Sequence, residues 1–492
     1  MERALSNEQP TNNSTTAERE PATGWRGMLD RRFELSARGT SIAQEFRGGL
    51  VTFVTISYIV VLNPLILGNT PDAVGNTLDG GQIAAATALA AGVLTILFGI
   101  VANLPFALAA GLGINSFLAV TVVGDVTWPE AMGLVVINGL LIVLLGATGA
   151  RTAIFHAIPA ALKSAITVGI GMFIAFIGLV DAGFVTRTEG GPPVQLGSDG
   201  SISTLPTVVF VVALLLISIL VARHVPGAIL IGIATSTVLA IVLEAVLKLG
   251  SVVDNTGGWS LTIPALPTTL FSLPDFSLVG AVDPFGAFFR VGPLVASMLV
   301  FTLLFMNFFD AMGSMTGLAK NAGLANADGT FPRLKQAFVV EGLGAVVGGA
   351  TSTSSNTVYV DSASGIGEGA RTGLASVVTG LFFLLAVFLT PLANIVPLEV
   401  GAAALVVVGA MMMAQVVDIE WTRFAVALPA FLTIVTMPFT YSIADGIGVG
   451  FIAWVVVQAF TGREREIHWL MWLVSALFVA YFARTAITGM LG

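Results

Sequence analysis

The 492-residue sequence contains no cysteine, only three histidines, and charged side chains at just 10% of positions. The missing cysteine excludes disulfides, thiolate metal sites and cysteine nucleophiles. His156, His224 and His468 fall at the edges of apolar runs, and no two have metal-ligand spacing. An intramembrane hydrolase therefore lacks the side chains that it would need at depth. There is no phosphate-binding loop, no nucleotide-hydrolysing domain and no basic patch for nucleic acid. No cofactor, metal or nucleic-acid partner is expected, and any transport must draw on an ion gradient or on the substrate gradient. A soluble domain carries about 25% charged residues, so the shortage of charge also excludes an ordinary soluble fold.

What fills the chain instead is apolar: 55% of residues are hydrophobic and the mean hydropathy is +0.93. Such a chain is a polytopic membrane protein with about a dozen or more spans of roughly 20 residues. Its 55 glycines suit close helix contacts in lipid. The net charge of -8 carries little information, because orientation follows the placement of Lys and Arg.

Residues 1–40 are polar and read as a disordered cytoplasmic tail, not a signal peptide. Hydropathy then places spans near 50–68, 82–101, 105–123, 131–147, 162–180, 206–222 and 225–247, a first repeat over 41–247. A polar, proline-bearing extracellular segment over 248–293 separates it from a second repeat over 294–462. The second set of spans lies near 294–318, 336–350, 357–368, 371–391, 401–415, 424–441 and 443–460. Residues 463–492 form a C-terminal segment whose Trp-rich apolar run is short and interfacial. With the N-terminus inside, Arg187, Lys248 and Arg290 fall outside, leaving 18 of the 21 Lys and Arg inside. That bias fits the positive-inside rule and puts both termini in the cytoplasm. Seven is odd, so the second group starts on the opposite side, the arrangement of an inverted repeat. Ile158-Pro159 followed by Gly171, and Val396-Pro397 followed by Gly409, repeat one separation in the two halves.

The third span of each half is irregular. In the first half it runs through Asn103, Pro105 and the Gly111-Leu112-Gly113 step to Asn115. In the second it is TSTSSNTVYVDSASGIGEGARTG over 351–373, polar and glycine-rich between two membrane-length runs. Its first part, 351–360, suits an extended strand; beyond it a short helix can open with Asp361 or Ser362 as cap. Non-helical backbone at membrane depth survives only where protein covers it or where it lines a cavity. A matched pair of interrupted spans is the best pointer to a transporter's binding site.

Asp310, in LFMNFFDAMGSMTGL, is flanked by apolar residues on both sides. An intramembrane acid costs about 3 kcal/mol on insertion scales, and an apolar residue or Asn would pack more cheaply, so it is read as functional. Asp361 is read likewise, although a helix cap is its structural alternative. Glu341 is expected to be a solvated or paired acid, Asp445 a cap, and Glu368 a local partner of Arg371 three residues on. Asn115 follows a flexible Gly-x-Gly step, and its amide can serve a ligand or tie down the broken helix. Phe53, Phe106, Phe308 and Phe309 are assigned to packing.

Several blocks resemble one family. FRGGLVTFVTISYIVVLNPLIL (46–67), AGLGINSFLAV (110–120) and FFDAMGSMTGLAKNAG (308–323) are similar to the nucleobase–cation symporter (xanthine/uracil permease) family. So are STSSNTVYVDSASGIGEGARTGLASVVTG (352–380) and LPAFLTIVTMPFTYSIADGIGVGFI (428–452), with the nearest likeness in the AzgA-like branch of hypoxanthine, guanine and adenine permeases. The resemblance implies a UraA-like, all-α fold of about fourteen spans in two inverted repeats. Spans 1–4 and 8–11 would form a core domain, and spans 5–7 and 12–14 a gate. Short strands in spans 3 and 10 would meet near the midplane. By the same likeness Asp310, Asp361 and Asn115 hold the base, and members are usually proton-coupled dimers joined through the gate. The span-10 acid is generally Glu in the family, one methylene longer than Asp361. The position one turn after the span-8 acid is His in uracil-type members and Ser314 here, which favours the purine branch.

The residues agree chemically with that substrate. An oxopurine presents adjacent N–H donors, and charge-assisted bonds to a carboxylate are about twice as strong as neutral ones. The hydroxyls of Ser354, Ser355 and Thr357 and the half-helix amides are expected to meet its carbonyl and ring nitrogens. Asp310 or Asp361 is the expected carrier of a coupled proton, with sodium as the other candidate ion. The rival readings are an anion exchanger of the same general fold, a channel and a membrane enzyme. Two acids in the site repel an anion, interrupted helices favour a carrier over a channel, and an enzyme lacks its constellation.

Overall fold

A computed structural model describes residues 24–148, 157–188, 192–198, 200–267, 269–326 and 330–483. Ten helices among them are long and apolar enough to cross a membrane. The chain folds from α1 (Trp25–Phe33), so residues 25–40, expected to belong to a disordered tail, are built into the protein. Arg38 in the following turn explains this: its guanidinium donates to the carbonyls of Asn103 (2.6 Å) and Arg371 (3.1 Å), at the ends of two spans. Residues 1–23 and His156 lie outside the described residues.

The first half then comprises α2 (Ile42–Ile56), α3 (Ile59–Leu67), α4 (Gly80–Ala102), strand β1 (Leu108–Ala110) and α5 (Leu112–Phe117). It continues with α6 (Trp128–Thr148), α7 (Ala160–Asp181), a small β2–β3 hairpin (Val185–Arg187, Val194–Leu196), α8 (Leu205–Ala222) and α9 (Ala228–Leu247). After α10 (Gly286–Arg290), the second half comprises α11 (Pro293–Asn321), α12 (Leu334–Ala350), β4 (Asn356–Val358), α13 (Ala363–Gly367) and α14 (Gly373–Ala386). It ends with α15 (Leu398–Met412), α16 (Phe424–Thr440), α17 (Ile443–Phe460) and a final α18 (Trp469–Phe482).

Span 1 starts eight residues before the hydropathy boundary, at Ile42, although it carries Glu45. Ser41 caps it, and the fully buried Glu45 carboxylate accepts the backbone N–H groups of Arg371 (2.8 Å), Thr372 (3.3 Å) and Ala375 (3.1 Å). An acid of span 1 thus satisfies donors that α14 cannot satisfy internally, and it complements that helix's dipole.

The packing repeats between the halves. α6 packs on α12 as α4 packs on α14; α7 on α16 as α8 on α15; α8 on α9 as α16 on α17. The pairs α7–α15 and β1–β4 are their own counterparts. At the α7–α15 crossing the repeated proline and glycine acquire a meaning. Pro159 and Pro397 each occupy the N-cap of their helix, and Gly171 and Gly409 meet where the helices cross. A Cβ on Gly171 would stand 2.7 Å from the Gly409 carbonyl oxygen and 2.7 Å from Met412 Cβ. Gly409→Val should therefore overpack this contact, costing about 1–3 kcal/mol, read as a lower unfolding temperature in detergent with Val accepted no better than Leu.

The expected local pair of Glu368 with Arg371 does not form. Glu368 instead meets Arg47 of α2 at 2.8 Å, while the Arg371 guanidinium donates to the Ile366 and Ala370 carbonyls, each at 2.7 Å. Carbonyls at the end of α13 outbid a surface carboxylate that another helix already neutralises. Asp445 lies in the first turn of α17, which Ser442 caps by accepting the Asp445 N–H at 3.2 Å.

Candidate functional site

The two interrupted spans cross as a two-stranded antiparallel sheet. Leu108, Ala109 and Ala110 lie opposite Val358, Thr357 and Asn356. The ladder extends by one bond at each end, Tyr359 N–H to the Ala107 carbonyl (3.0 Å) and Gly111 N–H to the Ser355 carbonyl (2.9 Å). Small side chains on β1 permit the crossing, and all six paired residues are buried. The backbone polar groups of two broken helices thereby satisfy one another at a depth where no water would. α5 starts at Leu112, directly after β1, and runs on through a π-helical stretch to Val122, so its first-turn N–H groups lack intrahelical partners.

The strand is shorter than 351–360. After α12 the chain turns through Thr351, whose hydroxyl donates to the Val347 carbonyl (2.9 Å), and Ser352 and Ser354 take left-handed backbone (φ 56° and 70°). Such conformations are uncommon outside glycine and collect at functional sites. Neither Asp361 nor Ser362 caps α13 with its side chain. The Ser362 hydroxyl accepts the Ala107 N–H at 3.0 Å across the crossing, which leaves the Asp361 carboxylate facing the cavity.

Beside the crossing lies a cavity of about 210 Å³. Asp310 from α11, Asp361 from the turn between β4 and α13, and Thr357 and Ser314 line it. Of the seven residues expected at a ligand, these four share one space. Asn115, Ser354 and Ser355 sit behind the lining, each fully buried. Asn115 donates through Nδ2 to Asn63 Oδ1 (2.5 Å), and Asn63 Nδ2 in turn reaches Thr87 Oγ1 (2.7 Å) and the Thr353 carbonyl (3.2 Å). The Ser355 hydroxyl accepts from Asn307 Nδ2 at 2.6 Å. Asn115 and Ser355 thus anchor the crossing to spans 1, 2 and 8.

Other lining residues carried no sequence signal. Tyr58 sits where span 1 breaks between α2 and α3, and its hydroxyl donates toward Asp361 Oδ2 at 3.4 Å. Tyr359 donates to the Ala110 carbonyl at 2.5 Å, so its ring forms wall while its hydroxyl is occupied. Thr167 and Ile170 on α7 and Met411, Met412 and Gln415 at the end of the α15 span close the opposite side. Glu341, fully buried in α12, lies within electrostatic reach of Asp310. Phe106 and Phe308 are buried packing residues, as expected. The arrangement can accept hydrogen-bond donors from a small ligand between two half-spans, with an apolar wall opposite.

A family model described as a permease family matches residues 43–449. A guanine/hypoxanthine permease of Bacillus subtilis, PbuG, is 36% identical over 92% of this chain and 98% of its own. An adenine permease of Escherichia coli, AdeP, is 36% identical over 93% and 96%. The chain belongs to the xanthine/uracil permease family. It lies on that family's AzgA-like side, and it is a multi-pass membrane transporter, not an enzyme. In fold this permease is similar to the transmembrane domain of the cyanobacterial bicarbonate transporter BicA, with a TM-score of 0.58 at 15% identity over 82% of this chain and 97% of that one. That likeness establishes the UraA-like architecture of the permease and carries nothing about its cargo.

Proposed function

We propose that the permease takes up purine nucleobases (hypoxanthine, guanine and adenine) across the cell membrane by proton symport. The observation that carries this reading is the placement of Asp310 and Asp361 on one cavity beside the β1–β4 crossing. Two carboxylates suit the N–H donors of a neutral purine, such as N1–H and the amino group of guanine, a ring N–H of hypoxanthine or the amino group of adenine, and oppose an anion. Thr357 and Ser314 add hydroxyls for ring nitrogens, and the first-turn amides of α5 face a carbonyl oxygen. The activities for which the relatives are named, guanine/hypoxanthine and adenine permeation, support the same substrate class.

In this reading the core, α2–α6 with α11–α14, carries the site past a gate of α7–α9 and α15–α17 in an elevator motion. The permease is a homodimer through that gate, with both termini cytoplasmic. Asp310 or Asp361 exchanges the transported proton. The test is uptake of labelled hypoxanthine, guanine, adenine, xanthine and uracil by cells lacking their own permeases, with and without a proton uncoupler. Saturable purine uptake that the uncoupler abolishes is expected. Uptake of uracil alone would refute the purine class, and uptake of xanthine alone would refute the choice of hypoxanthine, guanine and adenine. Purine uptake indifferent to the uncoupler but dependent on sodium would refute proton coupling.

A further inference from the structure

The segment between α9 and α10 differs from its polar expectation. From 255 to 282 its one charged residue is Asp275, and three prolines at 264, 267 and 274 keep it out of a helix. Hydrogen bonds along it tie the segment to the helices beside it. Ser272 N–H donates to the Phe388 carbonyl (3.1 Å), Ser272 Oγ meets Thr390 Oγ1 (3.2 Å), and the Asp275 carboxylate accepts from Gln82 Nε2 (2.7 Å) and Ser277 N–H (2.9 Å). Gly280 N–H donates to the Ala350 carbonyl at 2.7 Å. Its large apolar side chains point the other way: Leu266, Phe271 and Leu273 are 77%, 70% and 90% exposed.

That apolar edge continues an existing lipid-facing stripe. Leu381, Leu385 and Phe388 recur at helical spacing along span 11, and all three are exposed. Phe271 and Leu273 flank the residue bonded to Phe388, so they widen the stripe toward the end of the span. Irregular backbone facing lipid is excluded from the hydrocarbon itself. Its place is the headgroup boundary, where apolar side chains enter about 5–10 Å while the backbone stays hydrated.

We propose that residues 261–267 and 269–279 form a membrane-docking strap, whose Leu266, Phe271 and Leu273 insert into the phospholipid interface on the side that the positive-inside count makes extracellular. The strap grips the core through span 11 and α4, and through α12 at the adjoining Gly280, away from the gate surface assigned to a second copy. It makes no use of the cargo: the inference holds for a membrane permease of any substrate.

The absence of native cysteine makes the test direct. Single cysteines at Leu266, Phe271, Leu273 and, as an aqueous control, Asp254 are spin-labelled in the full chain reconstituted into phosphatidylcholine–phosphatidylglycerol nanodiscs. Collision rates are then measured with oxygen and with a water-soluble nickel chelate. At 266, 271 and 273 oxygen is expected to exceed the chelate several-fold, with the opposite order at 254. Free access of the chelate at all three positions overturns the strap. So does protection from both reagents, which would mean that protein, such as a second copy, covers the edge. A position whose label blocks insertion is replaced by its neighbour, Leu270 or Phe276, both also exposed.

Discussion

Asp310→Asn is expected to cut uptake efficiency by about 10- to 100-fold while leaving the folded protein intact. Hydrogen bonds to a charged group are worth about 1.5–3 kcal/mol, and each 1.4 kcal/mol is tenfold. Asn keeps the volume and one acceptor but supplies an N–H where the ligand also brings donors, so attraction becomes repulsion. Asp361→Asn should behave similarly, because both side chains line the same space. Concentration-dependent uptake of labelled hypoxanthine, alongside detergent unfolding curves, checks this. Proton uptake during transport is expected to vanish in at least one of the two variants. If both retain it, neither acid carries the coupled proton. By contrast, Ser355→Ala, behind the lining, should lower stability through the orphaned Asn307 amide and leave the apparent affinity nearly unchanged.

The second large effect is expected far from the cavity, at Glu45. Replacement by Ala strips three backbone donors at the start of α14 of their acceptor, and that site is fully buried. A single buried unpaired group costs about 1–3 kcal/mol, so a total of about 3 kcal/mol or more is expected from Glu45→Ala. Monodisperse protein on size exclusion should fall sharply, with the unfolding temperature. Glu45→Gln keeps one acceptor oxygen and should lose clearly less. Equal behaviour of the two variants, or wild-type stability in Ala, would show that α14 does not depend on span 1 for its cap.

Much of this was legible because lipid removes alternatives. Apolar runs marked the long helices, and the proline–glycine repeat of 159/171 and 397/409 proved to be the crossing of two equivalent helices. Asp310 and Asp361 stood out since an acid among apolar neighbours needs a reason. Boundaries were harder where a charge has a distant partner. Hydropathy placed the start of span 1 late because Glu45 and Arg47 look solvated, yet they bind segments more than 300 residues away. The strand over 351–360 was overdrawn because Ser352 and Ser354 adopt left-handed backbone without glycine to announce it. Tyr58 and Gln415 were illegible as lining residues, since a lone Tyr or Gln gives no hint of which way a broken span turns it. Asn115 and Ser355 carried the right polarity, but the structure spends it on holding the crossing together, and Ser354 is buried behind the lining.

The central claim is that a purine occupies the cavity between the two broken spans. In this cysteine-free chain it can be tested at one atom, with Ser314→Cys, a near-isosteric change on the cavity wall. The measurement is the rate of alkylation of that thiol by a small maleimide in proteoliposomes, with rising hypoxanthine. Saturable slowing, at the concentrations that half-saturate uptake, is the predicted result. An alkylation rate that hypoxanthine leaves unchanged, in a variant that still transports it, would contradict the account.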